Sequence, residues 1–298
     1  ECTYQFSRDK RLFTEMFSFA GWSFIGNLGF SVKDQGINIL INLFFGAVVN
    51  AARGIAYQVS SVVSSFMANF QMAINPQITK RYASGETDSM LRLVFASAKY
   101  SFFLLMIIVI PLWIRAPYVL ELWLGNVPDY TVTFLRLVLI MLLVDSMANP
   151  LVVAMQATGK IRNFQLVIAL IMVSNLPISY CVLKMGADAY SVMYVAIATS
   201  VVGLFARLLL LQALIPFDFG DFVKNILVRN FVVFFLSSLV PLGASFYIQN
   251  DFIGLIGVVT VSMAFSLAVI YFIGFQSFER VYFVNKIVNR VKSIVRKE

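Results

Sequence analysis

Apolar runs long enough to span a bilayer as helices recur along the whole chain, each closed by a polar or charged cluster. A backbone that faces lipid must satisfy its own hydrogen bonds, so such runs read as helices. The pattern predicts eight spans, at 12–45, 49–78, 91–115, 130–157, 162–183, 189–214, 228–248 and 252–275. The first would extend about 50 Å at 1.5 Å per residue, too long for one straight crossing. It is expected to project from the bilayer or to bend near Gly29 or Gly36. The fold class expected is all-α and integral to a membrane.

The first two runs carry polar stripes. On the first, Ser23, Asn27, Ser31, Asp34, Asn38 and Asn42 recur at helical spacing, and Lys33 lies to one side on the flank of Gly26, Gly29 and Gly36. On the second, Asn50, Arg53, Tyr57, Ser61, Ser64, Gln71 and Asn75 fall near one line, with Ala68 filling the gap. The short connection "FFGAVVN" makes the two helices antiparallel neighbours. A charge at the centre of a membrane helix costs roughly 2.5–3.5 kcal/mol on insertion scales, so Lys33 and Asp34 need a reason to be there. Neutralisation within a packed bundle is one reading. Adjacent residues do not face each other on a helix, which favours the other reading, a wall of a water-filled cavity. Arg53, near the end of its helix, either joins that wall or snorkels to the interface.

A third polar feature is "VDSMANP", where Asp145, Asn149 and Gln156 share a face and Pro150 is expected to kink the helix. Interhelical hydrogen bonding is the plainer reading of this aspartate. Arg136 and Arg207 also lie inside apolar runs but belong to no extended stripe, and they rank lower as candidates.

Composition agrees with the hydropathy pattern: 60% of residues are hydrophobic and 13% charged, against about 25% charged in soluble domains. Lys80, Arg81, Lys160, Arg162, Lys224, Arg229 and the basic C-terminus alternate with loops that hold Glu121, Asp129, Asp188 and Asp251. By the positive-inside rule both ends are expected to be cytoplasmic. The net charge of +8 then reflects this bias and a basic amphipathic tail suited to an anionic leaflet, and it does not argue for nucleic acid. With no histidine and only Cys2 and Cys181, there is no metal-ligand spacing and no disulfide framework. No phosphate loop, nucleophile elbow or catalytic carboxylate pair is present, so neither an enzyme nor a cofactor is expected. The chain opens on Glu1, which suggests a preceding segment.

The stretch "QGINILINLFFGAVVNAARGIAYQVSSVVSSFMANFQMAINPQITKRYASGE", with "LFTEMFSFAGWSFIGNLG" before it, resembles the seventh and eighth helices of bacterial polysaccharide-export flippases of the Wzx type. These O-antigen and capsule transporters belong to the superfamily of MATE exporters and lipid II flippases. The resemblance covers about residues 11–85 in wording and the whole chain in hydropathy. It implies a C-terminal portion: a lead-in at 1–11, the second six-helix lobe at 12–214, two additional spans at 215–275 and the tail at 276–298. A preceding six-helix lobe would be its partner, in a bacterial inner membrane. The implied function is translocation of an undecaprenyl-pyrophosphate-linked oligosaccharide, with Lys33 and Arg53 holding the pyrophosphate. Lys33, Asp34, Asn38, Asn42, Arg53, Tyr57, Asp145 and Asn149 are the candidate cavity lining. An organic-cation exporter of the same fold is the alternative, and a polytopic polysaccharide polymerase is less favoured because the outer loops are short. Half of a rocking pair would not alternate access alone.

Overall fold

The computed structural model describes residues 9–249, 251–276 and 279–280. Most of the basic tail expected at 276–298 and most of the lead-in at 1–11 therefore lie outside the described residues. Among those described there is no strand. Helix α1 (Lys10–Phe45) starts at Asp9, whose carboxylate accepts the Arg11 N–H, and stops at Gly46. Gly46 is the single residue between α1 and α2 (Ala47–Ala83), and its φ of 83° is a left-handed backbone that glycine adopts without steric cost. This turn makes the two long helices antiparallel. Next come α3 (Thr87–Ile114), the short α4 (Ala116–Leu124), α5 (Thr131–Ala157), α6 (Arg162–Lys184) and α7 (Ser191–Leu214). After α8 (Phe219–Phe222), a π-helical segment (Val223–Val228) leads into α9 (Arg229–Ser245). The chain then forms α10 (Phe252–Val269), which ends in a second π-helical segment (Ile270–Gly274).

Helix lies over each of the eight expected runs, and α5 continues as helix through Pro150. Among the described residues six helices are long and apolar enough to cross a membrane: α3, α5, α6, α7, the continuous helix from α8 through α9, and α10 with its π-helical end. This is the signature of a multi-pass membrane protein. The two longest helices, α1 and α2, do not reach that apolarity, because the polar stripes read from the sequence interrupt them. Helix α4 and the π-helical segments were not foreseen from hydropathy; all three lie at ends of longer helices, where apolar character is unchanged.

Five helices close a ring: α1 packs on α2 and α6, α2 on α5, α5 on α7, and α7 on α6. Helix α3 buttresses the ring from outside against α2 and α5, and α9 and α10 pack on α3 and on each other. The apolar core lies between α2, α3 and α5, where Ile78, Leu105, Met106, Leu135 and Leu139 are fully buried. In lipid no hydrophobic force draws helices together, so close approach and polar contacts carry more of the association. The α1–α6 seam uses close approach. A Cβ added at Gly29 would stand 2.9 Å from the Ala169 Cα, and one at Gly36 would strike Leu176. The glycines placed beside Lys33 by the sequence are thus a packing surface. Gly29→Leu is expected to force α1 from α6 at a cost of about 1–3 kcal/mol, read as a lowered unfolding temperature in detergent.

Polar contacts tie the outer helices on. The Arg115 guanidinium, at the α3–α4 corner, donates to the Ile248 carbonyl at 2.9 Å, just past α9. Near the middle of α3, the buried Lys99 ammonium lies 2.6 Å from the Glu279 carboxylate, which also accepts the Tyr100 hydroxyl at 2.7 Å and the Gln276 N–H at 2.7 Å. Lys99 escaped the sequence reading. It stands alone in an apolar run, and its partner is far away in the chain.

Candidate functional site

Part of each polar stripe meets inside the ring. A cavity of about 500 Å³ lies among α1, α2, α5, α6 and α7, and every one of the five helices contributes to it. Asn27 comes from α1, Ser64 and Gln71 from α2, and Asp145, Asn149 and Gln156 from α5, the last three by their shared face. Sequence reasoning missed Gln165 of α6 and ranked Arg207 of α7 low; both line this space. The cavity runs from Leu142 to Gln156 toward the α5–α6 turn, about 21 Å along α5 at 1.5 Å per residue.

Asp145 lines this space about one turn from its Leu142 end. It meets the Ser200 hydroxyl of α7 and lies within electrostatic reach of Lys33 and Arg207. Lys33 and Arg207 are both buried, at 6% and 4% exposure. The Arg207 guanidinium lies over Gly203, one turn earlier on α7, where an added Cβ would stand 2.9 Å from Nη1. Among the described residues its Nε and Nη1 find no acceptor.

A second cluster lies toward the α1–α2 turn. Arg53, 4% exposed, donates from Nη1 to the Asn38 side-chain carbonyl and approaches Asp34 with Nη2 at 4.0 Å from Oδ1. Its guanidinium carbon is 4.4 Å from the centre of the Tyr57 ring, within cation–π distance. Burial and these partners make Arg53 a fixed member of the α1–α2 wall, so snorkelling does not describe it. Asp34 is half exposed beside it.

Other candidates fall elsewhere. Asn42 is exposed, as are Asn27 and Ser31 earlier on the same stripe, and it is not among the residues that line the cavity. Gln71, which borders the cavity, also donates to the Ser101 hydroxyl of α3 at 3.3 Å, a packing contact. Arg136 donates to the Trp113 carbonyl at 3.1 Å and stacks on that ring, which gives it a structural task. Among the described residues no three His, Cys, Asp or Glu side chains gather as metal ligands.

Searched against protein-family models, curated proteins and solved structures, the chain has no match in any of the three.

Proposed function

We propose that this chain is the second lobe and additional helix pair of a polysaccharide-export flippase, and that it helps move an undecaprenyl-pyrophosphate-linked oligosaccharide across a bacterial inner membrane. In this reading α1 and α2 also cross, giving eight spans with both ends cytoplasmic. Their polar faces, too hydrophilic for lipid, would border a hydrated path shared with a preceding six-helix lobe. The observation that carries the reading is the pair of buried cations, Lys33 and Arg53, on the two helices whose polar stripes depress their apolarity. A pyrophosphate carrying a sugar head does not cross hydrocarbon unaided, since burying its charge costs far more than any single contact returns. Fixed cations and amides in place of water lower that cost, while the lipid tail stays in the bilayer. Asp34 beside Arg53 tempers the positive charge, so that the cargo is released as well as held.

The test is translocation in liposomes by the two-lobe protein this reading implies, with an undecaprenyl-pyrophosphate oligosaccharide as cargo and a cationic dye as control. Glycolipid is expected to move, Lys33→Ala to slow it at least tenfold, and the dye to stay. Dye export without glycolipid movement would overturn the reading in favour of an organic-cation exporter and point to Asp34 and Asp145.

A further inference from the structure

The wall of the cavity inside the ring carries no net charge. Its two ionic lining residues, Asp145 and Arg207, are of opposite sign and within electrostatic reach of one another. What distinguishes the wall is its carboxamides: Asn27 from α1, Gln71 from α2, Asn149 and Gln156 from α5, and Gln165 from α6. Gln71 is engaged by Ser101. Among the described residues the other four carboxamides make no hydrogen bond to protein. Arg207, 4% exposed, makes none either; its Nε and Nη1 are enclosed without an acceptor, and Nη2 is the nitrogen that is not enclosed. Amides that serve only to join membrane helices bond across the seam, as Asn175 of α6 does to the Thr199 hydroxyl of α7 at 3.0 Å. The cavity amides do not. Polar groups left unbonded inside a protein cost free energy, so their convergence on one space calls for an occupant that bonds them.

We propose that this cavity binds one uncharged sugar ring, its hydroxyls bonded by Asn27, Asn149, Gln156, Gln165 and Arg207. The balanced charge of the wall sets the first half of the class, since an ionic occupant would bury a surplus. The amides set the second half. Each carboxamide both donates and accepts, and a hydroxyl is the group that does the same. A ring bearing several hydroxyls meets several amides from different helices at once. Phe30, Leu142, Val152 and Ile168 line the rest of the wall and offer apolar surface to the ring's C–H groups. A volume of about 500 Å³ falls within the range of small-ligand pockets, roughly 300–1,000 Å³. Asn27 and Gln156 are exposed, so the cavity is open rather than sealed. The ring is either a free solute or one sugar of a lipid-linked chain. In the second case the site is a cargo subsite and rests on the flippase reading.

Calorimetric titration of the purified full chain, in a detergent without a sugar headgroup, tests the proposal. The neutral probes are glucose, galactose, mannose and N-acetylglucosamine; the charged probes are glucuronate and protonated glucosamine. At least one neutral sugar is expected to saturate a single site, with both charged sugars at least tenfold weaker. Asn149→Leu is expected to weaken binding at least tenfold. Gly26→Ala, which keeps every polar group, is expected to weaken it severalfold, because an added methyl would strike Oε1 of Gln165 and displace that carboxamide. The preferred sugar is then compared with its prenyl glycoside. Equal affinity identifies a free solute; a prenyl glycoside at least tenfold tighter identifies a lipid-linked sugar. No saturation of the wild-type chain by any neutral sugar overturns the proposal, whatever the fold of the variants. Charged sugars within tenfold of the neutral one, or undiminished binding by a folded Asn149→Leu, overturn it equally. The titration contains no transport step, so its failure leaves the flippase reading standing, and failure of the transport assay leaves this site standing for a free sugar.

Discussion

Glu279→Ala is expected to destabilise the chain by about 3–5 kcal/mol, the usual cost of leaving a buried charge without its partner. The side chains of Lys99 and Glu279 are 6% and 11% exposed, and the ammonium lies within hydrogen-bond distance of both carboxylate oxygens. Removing the carboxylate strands the ammonium on α3 and also frees the Tyr100 hydroxyl. Replacing both partners, as Lys99→Met with Glu279→Leu, is expected to recover most of the loss, because an apolar pair of similar volume carries no desolvation cost. Thermal unfolding followed by helical circular dichroism checks both; a double variant no more stable than Glu279→Ala would contradict the ion-pair account. The same contact predicts a pH dependence. Burial acts to raise the Glu279 carboxyl, but the Lys99 ammonium, the Tyr100 hydroxyl and the Gln276 N–H outweigh it and hold it below the ordinary value of 4.5. A carboxyl depressed in the folded state stabilises fully above its unfolded value. That contribution is therefore intact at neutral pH and is lost as pH falls below about 4.5. Glu279→Ala should remove this acid-side loss from the stability profile.

Arg53→Ala is expected to cost both fold and transport. The substitution leaves the Asn38 carbonyl and Asp34 without their cation, which should lower stability by about 1–3 kcal/mol. It also removes one of the two buried cations of the α1–α2 wall, and glycolipid translocation is expected to fall at least tenfold. Arg53→Lys separates the two effects. Lysine keeps the charge but lacks the planar fork that reaches Asn38 and Asp34 while lying over Tyr57. It should therefore retain part of the transport while losing most of the stability that Arg53→Ala loses. Equal transport by Arg53→Ala and wild type would remove Arg53 from any role in cargo binding.

What the sequence displayed and what it hid follow the range of the interactions. Helical spacing fixes faces, so the stripe of α5 was legible: Asp145, Asn149 and Gln156 border one cavity as their spacing requires. The α1–α2 turn was legible too, because a glycine between two long runs has few other uses. The stripe on α1 was legible only in part, since spacing does not tell which of its residues meet other helices: Asn27 borders the cavity, whereas Ser31 and Asn42 are exposed outside its lining. Arg207 and Lys99 were hidden for a different reason. Each is a lone charge in an apolar run, and what it faces is set by helices far off in sequence: α5 for Arg207, and the residues after α10 for Lys99. Hydropathy registers the cost of such a residue but not its partner. Apolarity alone marks six crossings among the described residues where the hydropathy reading gives eight, because the polar stripes of α1 and α2 also lower their apolarity below that of the other six helices.

The central claim is that the polar stripe of α1 and α2 borders water across the depth of the membrane. The most direct measurement is cysteine accessibility in membranes, in a Cys2→Ser, Cys181→Ser background because Cys181 is exposed. Single cysteines at Asn27, Asn38, Asn42 and Ser61 would be compared with cysteines at Leu170 and Leu209, exposed apolar positions on α6 and α7. A charged, membrane-impermeant thiol reagent is expected to label the four stripe positions and to leave the two apolar positions unlabelled. Stripe cysteines as unreactive as Leu170→Cys and Leu209→Cys would contradict the account and make the stripe a packing surface.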